Sequence, residues 1–212
     1  MTCSDSPVRW WCWDGLVPTL RAVDVPPRRW TGWEVTYDND LERNKRAARR
    51  LADLPALRPA LDALRALGAD WADRLGYPVE DDPLLHGGGL HVTGPGGYLT
   101  THLDYDRHPH RPVWRKALNV IAFLHPEWRA SWGGDLYLAD PLGVPVQCFR
   151  PEPGRVVAFE CTDLSYHGVL PTAPDAAERV SLAASMLAPA GPQNTRQRAL
   201  FIPNRGGRPA VG

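Results

Sequence analysis

The chain has 212 residues, 43% of them hydrophobic and nine of them tryptophan, which excludes a disordered polymer and suits one sizeable core. Basic and acidic residues balance at 24 each, so no global field draws the chain to nucleic acid or to an anionic membrane. The positive charge is almost all arginine, Lys45 and Lys116 being the only lysines, and reads as a compositional bias rather than as phosphate binding.

Residues 1–37, rich in Pro and Trp without a clear period, read as an irregular arm. Trp10, Trp11, Trp13, Trp30 and Trp33 would pack that arm against the body, in preference to forming a lid over an aromatic substrate. Residues 38–76 are expected to give helical support. Asp40–Leu54, with Leu41, Ala48 and Leu51 among arginines, reads as an amphipathic helix that Pro55 ends. Pro59 then sits in the first turn of a second helix, whose Leu61, Leu64, Trp71 and Leu75 recur at helical spacing. Gly76–Pro83 is a loop. From Gly87 onward, apolar runs alternate with Gly and Pro at 88–93, 97–104, 117–124, 134–139, 144–150, 155–160, 166–170 and 179–187. Short strands at that spacing imply a sandwich or barrel. The expected fold is mainly β with N-terminal helices: a double-stranded β-helix, the cupin-like jelly roll, over residues 84–189. Residues 190–212 form a polar tail, partly disordered or folded over the barrel. Gly87–Gly89 precedes neither a helix nor a GK[ST] motif, so it reads as a bend into a strand rather than a phosphate loop. With no internal repeat and no linker, residues 1–212 are expected to be one domain. Cys3, Cys12, Cys148 and Cys161 show no CxxC spacing, which suits reduced thiols in a cytoplasm. Neither a signal segment in Met1–Gly15 nor an apolar run long enough to span a membrane is visible.

The chemistry concentrates in His102-Leu103-Asp104, His167 and Arg179-Val180-Ser181. Side chains two apart on a strand share a face, so His102 and Asp104 can reach one ion while a distant strand supplies His167. Two histidines and a carboxylate on one side of a metal leave open positions opposite, the ligand set of non-haem Fe(II) oxygenases. Such enzymes need an electron donor, and Arg179 with Ser181 on the same strand face suits a carboxylate-bearing one. Taken alone, HxD is a common chance pair, His167 could be a hydrogen-bonded core histidine, and Arg179 a strand-edge ion pair. Ser181 could simply pack. His91 and Asn119 are weaker candidates that would line the pocket, Asn119 pointing inward with Ile121 and Phe123. Tyr98 reads as packing. His108 and His110 flank Pro109 in what reads as a solvated loop, with substrate contact as the alternative. A Pro-rich loop is a poor place for a rival His108/His110 ligand set.

Several longer runs widen the pattern. They are Asp82-Pro83-Leu84-Leu85-His86-Gly87-Gly88-Gly89-Leu90-His91, Gly96-Gly97-Tyr98-Leu99, Leu118–Leu124, Trp132–Leu138 and Phe159–Gly168. Together with HxD, His and RxS in that order, they resemble the 2-oxoglutarate/Fe(II)-dependent oxygenase superfamily, on its prolyl-4-hydroxylase-like branch of small bacterial members. The resemblance spans roughly residues 80–190, with a weaker echo in the helices before them. It implies that His102, Asp104 and His167 bind Fe(II), and that Arg179, assisted by Ser181, holds the distal carboxylate of 2-oxoglutarate. It also implies O2 as oxidant, succinate and CO2 as co-products, and ascorbate as a stimulant. The branch often carries a tyrosine on the strand after HxD that contacts the co-substrate; here its counterpart is Phe123. Halogenating relatives replace the carboxylate ligand by a small residue, so Asp104 argues for hydroxylation or another oxidation.

The expected activity is hydroxylation of an unactivated C–H bond of a small molecule or carrier-bound intermediate in specialised metabolism. No peptide-docking domain is visible. Peptidyl or prolyl hydroxylation by the same residues is the alternative, and a metal hydrolase, isomerase or sugar-binding jelly roll the third reading. A hydrolase has no need of Arg179 and Ser181.

Overall fold

The computed structural model describes residues 1–202. The chain opens with β1 (Thr2–Ser4) and β2 (Trp10–Trp13), then a hairpin of β3 (Val35–Tyr37) and β4 (Glu42–Ala48). Helices α1 (Arg58–Ala66) and α2 (Gly68–Leu75) follow. After β5 (Glu80–Asp81) come β6 (Gly89–Leu103), β7 (Trp114–Phe123), β8 (Leu136–Ala139) and β9 (Pro145–Phe149). The chain continues through β10 (Val156–Glu160), β11 (His167–Val169), β12 (Arg179–Pro189) and β13 (Leu200–Phe201).

β6 belongs to two sheets. Its first half pairs with β12 over Gly89–Thr93, and its second half meets β11 at Leu99 and His102. The bend between them falls at residues 94–97, where the runs 88–93 and 97–104 prove to be one strand. Thr172 ties this corner: its Oγ accepts from the Gly97 N–H at 3.0 Å and donates to the Gly94 carbonyl at 2.9 Å. One sheet runs β1-β2-β10-β7-β12-β6 and continues through β4 to β3; the other runs β6-β11-β8-β9. Two antiparallel sheets sharing a bent strand are the jelly roll that the strand spacing predicts.

Alternation along the strands builds two different interiors. Leu90, Val92, Leu118, Val120, Val180 and Leu182 face α1 and α2, which contribute Leu61, Leu64, Trp71 and Leu75 to the same cluster. Between the sheets lies a second cluster around Phe123, Leu138, Phe149 and Phe159.

Two expectations need correction. The helix expected over Asp40–Leu54 is instead β4 followed by a single 3-10 turn at Leu51–Asp53. Its helical period is weak, and β4 gains ladder partners on both sides, β3 and the buried β6, an instance of tertiary context overriding local preference. The approach is close: a side chain at Gly89, which takes φ +90°, would collide with the Ala48 carbonyl. The N-terminal arm is not irregular throughout either, because β2 adds itself to the sheet beside β10. Its tryptophans pack as expected, Trp10 edge-on to Phe149 and Trp11 and Trp13 on Trp71. The four cysteines are free thiols. Among the described residues no helix is long and apolar enough to cross a membrane. The tail over 190–202 folds back onto the sheet through β13; residues 203–212 lie outside the described residues.

Candidate metal centre and co-substrate pocket

His102 lies at the end of β6, Asp104 just beyond it, and His167 opens β11 directly opposite His102 in register. This brings the two imidazole centroids to 4.2 Å. His102 Nε2 is 3.7 Å from one Asp104 oxygen and His167 Nε2 is 3.6 Å from the other. Each histidine donates its Nδ1 hydrogen to a backbone carbonyl, Thr100 at 3.0 Å and Ser165 at 2.8 Å. Those bonds fix the tautomer and leave both Nε2 lone pairs turned inward. One donor atom from each residue lies within 4.8 Å of the others, a set that fits iron. Burial, with His102 alongside, pushes the His167 imidazole down to about 3, so it stays neutral as a ligand must. Burial alone would raise the Asp104 carboxyl, but Lys116 and the histidines hold it well below the usual range.

Asp104 has two further partners on β7. Its Oδ2 accepts from Lys116 Nζ at 2.8 Å and from Asn119 Nδ2 at 2.9 Å. Strict alternation would aim Lys116 away, on the side of Leu118. A bulge prevents this: Met186 faces Leu118 but Leu187 faces Lys116, so Ala117 is the extra residue. Lys116 was not foreseen from sequence, although its rarity as a residue type was the one available signal.

Arg179, Ser181 and His91 occupy neighbouring rows of the same interior face, with Arg179 opposite Thr93 and Ser181 between His91 and Phe123. The guanidinium is 3% exposed, donates Nε to the Gly134 carbonyl at 2.8 Å and reaches Ser181 Oγ at 3.5 Å. Phe123 lies beneath it at 4.8 Å, giving a π face where the tyrosine of the branch would give a hydroxyl. Among the described residues Arg179 has no ion pair, and burial pulls it down to about 10. A buried, unpaired cation is costly and is relieved when an anion enters. His91 Nε2 donates to the Gly88 carbonyl at 3.2 Å, and burial pushes the ring down to about 3. His102, Asp104, His167, Arg179, Ser181, His91 and Asn119 all line one cavity of about 590 Å³.

The remaining candidates divide. Tyr98 stays outside this cavity, half-buried, with its hydroxyl 3.5 Å from the Asp40 carbonyl. His108 is not solvated: it is wholly buried, accepting at Nδ1 from the His110 and Arg111 N–H groups and facing Asp82 at 3.4 Å. It therefore holds the loop, while His110 is exposed at the cavity rim. Sequence reasoning also missed the β3–β4 hairpin as a cavity wall, and Phe201 of β13, which stacks on His102 at 5.1 Å.

The sequence model of the 2OG-Fe(II) oxygenase superfamily matches residues 88–185. No curated protein gives a match. Among solved structures, a Pseudomonas putida prolyl-4-hydroxylase is similar with a TM-score of 0.55 and 22% identity, over 74% of this chain and 78% of that one. A Trichoplax adhaerens prolyl hydroxylase, solved with a hypoxia inducible factor peptide fragment, gives 0.52 and 18%, over 81% and 70%. These likenesses bear on the fold. The superfamily uses Fe(II), 2-oxoglutarate and O2. Residues 88–185 matching its model, a prolyl-4-hydroxylase-like fold and a donor set that fits iron together support an oxygenase enzyme of the 2OG-Fe(II) type.

Proposed function

We propose that this oxygenase hydroxylates an unactivated C–H bond of a small molecule or carrier-bound intermediate in specialised metabolism, in the cytoplasm, with succinate and CO2 as co-products. The observation that carries the reading is Arg179, a buried guanidinium without a carboxylate partner among the described residues, sharing one cavity with the His102–Asp104–His167 donor set. In this reading the triad holds the iron. Arg179 grips the distal carboxylate of 2-oxoglutarate, and Ser181 adds a hydroxyl beside it. Asn119 and Lys116 hold Asp104 in its ligating orientation through Oδ2, and His91 lines the co-substrate's side of the cavity. Bound there, the metal and co-substrate supply the oxidising chemistry. The protein's share is to orient the substrate and exclude water, helped by Phe201 packed over His102.

Prolyl hydroxylation of a peptide by the same residues is the second reading, supported by the two neighbours being prolyl hydroxylases. The test is 2-oxoglutarate-dependent succinate formation by the Fe(II)-loaded chain, with small molecules in one arm and proline-containing peptides in the other. Turnover stimulated only by a small molecule is expected. Stimulation only by peptides would replace the first reading with the second, and succinate in neither arm nor in the substrate-free blank would count against both.

A further inference from the structure

On a regular strand, positions 42 and 45 point to opposite faces. On β4 they do not. Asn44 takes φ +46°, and the pairing with β6 slips between Arg43 and Lys45. The break in alternation at Asn44, opposite the bend of β6 at residues 94–97, returns Lys45 to the face that Glu42 already occupies. Both side chains line the cavity, whereas Arg43 between them turns to Asp38 at 3.3 Å. Asn44 is pinned in this left-handed conformation, donating to the Pro95 carbonyl at 2.9 Å and accepting from Arg28 at 2.8 Å. Bulges recur beside active sites because they re-aim a side chain, and a non-glycine residue held at positive φ invites a functional reading.

The break delivers an opposite-charge pair. Lys45 Nζ lies 2.6 Å from Glu42 Oε2, with the side chains 12% and 13% exposed, and the ammonium sits 5.3 Å from the Tyr37 ring centre. Lys45 is directly opposite Thr93, which is directly opposite Arg179 on its other side. Lys45 therefore stands in the row of Arg179, roughly 10 Å away at two strand spacings, next to the co-substrate's anchor rather than in its place. A second pair on the same wall, Arg49 with Glu34 at 2.8 Å, leaves the hairpin without net charge. An anionic substrate finds no spare cation on this wall, and a cationic one no spare carboxylate. An ammonium has three donors and a carboxylate about four acceptor sites, so the pair can satisfy each other and a guest of the same make-up.

We propose that Glu42 and Lys45 form the headgroup site for a free zwitterionic amino acid, its carboxylate on Lys45 and its ammonium on Glu42. This rests on the oxygenase reading of the cavity and narrows its substrate class. A residue inside a peptide carries neither charge, so the site disfavours the peptidyl alternative.

Saturation-transfer NMR on the full chain loaded with Zn(II) and 2-oxoglutarate tests this. The probes are free L-amino acids and, separately, their N-acetyl carboxamides. Saturation is expected for 2-oxoglutarate and for free amino acids but not for the capped forms. Glu42→Gln and Lys45→Met should each weaken the amino-acid signal about tenfold, the loss of one charge-assisted hydrogen bond, with 2-oxoglutarate saturation retained as the folding control. Equal saturation by free and capped forms, or by neither while 2-oxoglutarate saturates, would overturn the headgroup site alone. Absence of 2-oxoglutarate saturation in the wild type would overturn the cavity reading beneath it.

Discussion

The sheet formed by β6, β12 and β7 has two faces built from alternate residues of the same strands, and they do opposite work. Toward α1 and α2, Leu90, Val92, Leu118, Val120 and Leu182 are at most 1% exposed in an apolar cluster. Toward the jelly-roll interior, Thr93, Asn119, Arg179 and Ser181 are nearly as buried, at 2–6%, yet polar. Burying an apolar group stabilises the fold, whereas burying a polar one costs stability unless something binds it. Stability and function are thus divided by the parity of residue position, and substitutions on the two faces should separate cleanly.

The largest effect should come from the apolar face. Leu182→Ala is expected to cost about 3 kcal/mol in urea denaturation, while the folded protein keeps its 2-oxoglutarate affinity within about twofold. Loss of affinity matching the loss of stability would erase the distinction between the faces. On the other face, Arg179→Met should weaken 2-oxoglutarate binding about 100-fold, equivalent to about 2.7 kcal/mol, in calorimetric titration of the Zn(II)-loaded chain. Its stability without ligand should be unchanged or higher, because a desolvated cation has gone. A marked fall in stability would instead make Arg179 a structural residue.

A third site lies off both faces and sharpens the contrast through pH. Arg9 donates to both Glu160 oxygens at 2.9 Å and Tyr77 donates at 2.8 Å, joining β2 and the residues after α2 to the end of β10. Burial pushes Glu160 up, but the Arg9 and Tyr77 hydrogen bonds prevail and hold it below the usual glutamate value. A depressed folded-state value contributes stability that is complete above the unfolded glutamate value of about 4.3 and is lost as pH falls through the folded one. Glu160→Gln should therefore cost about 2 kcal/mol at neutral pH and flatten the acid arm of the stability profile, with ligand affinity at neutral pH unaffected. An unchanged acid arm would remove the network from the account. The smallest effect is assigned to Asn119→Ala, which should lower metal affinity about tenfold by freeing Asp104, read by competition with a metal chelator.

How far the sequence reading reached follows from where alternation holds. The helical stretch over Pro59–Leu75, divided by the structure into α1 and α2, and the strand runs, two of which merge in β6, were legible because apolar residues there keep one period, and HxD was legible because His102 and Asp104 are two apart at the end of one strand. The reading failed where a single residue breaks the period. Breaks at Asn44 and Ala117 turn Lys45 and Lys116, the only two lysines, into the site. No count of apolar residues could place either break, since both depend on the register with β6 and β12. β4 was misread for a related reason, its strand character coming from the partners it meets. His108 was misassigned because its burial depends on Asp82, remote in sequence, rather than on its Pro-rich surroundings.

The central claim is that the interior face binds Fe(II) and 2-oxoglutarate together. Anaerobic visible absorption tests it most directly, with each component added alone and then both, for wild type, His102→Ala and Arg179→Met. A weak metal-to-ligand charge-transfer band that needs both additions, and fades in each variant, is the predicted result. Metal binding by the wild type without any such band on adding 2-oxoglutarate would contradict it.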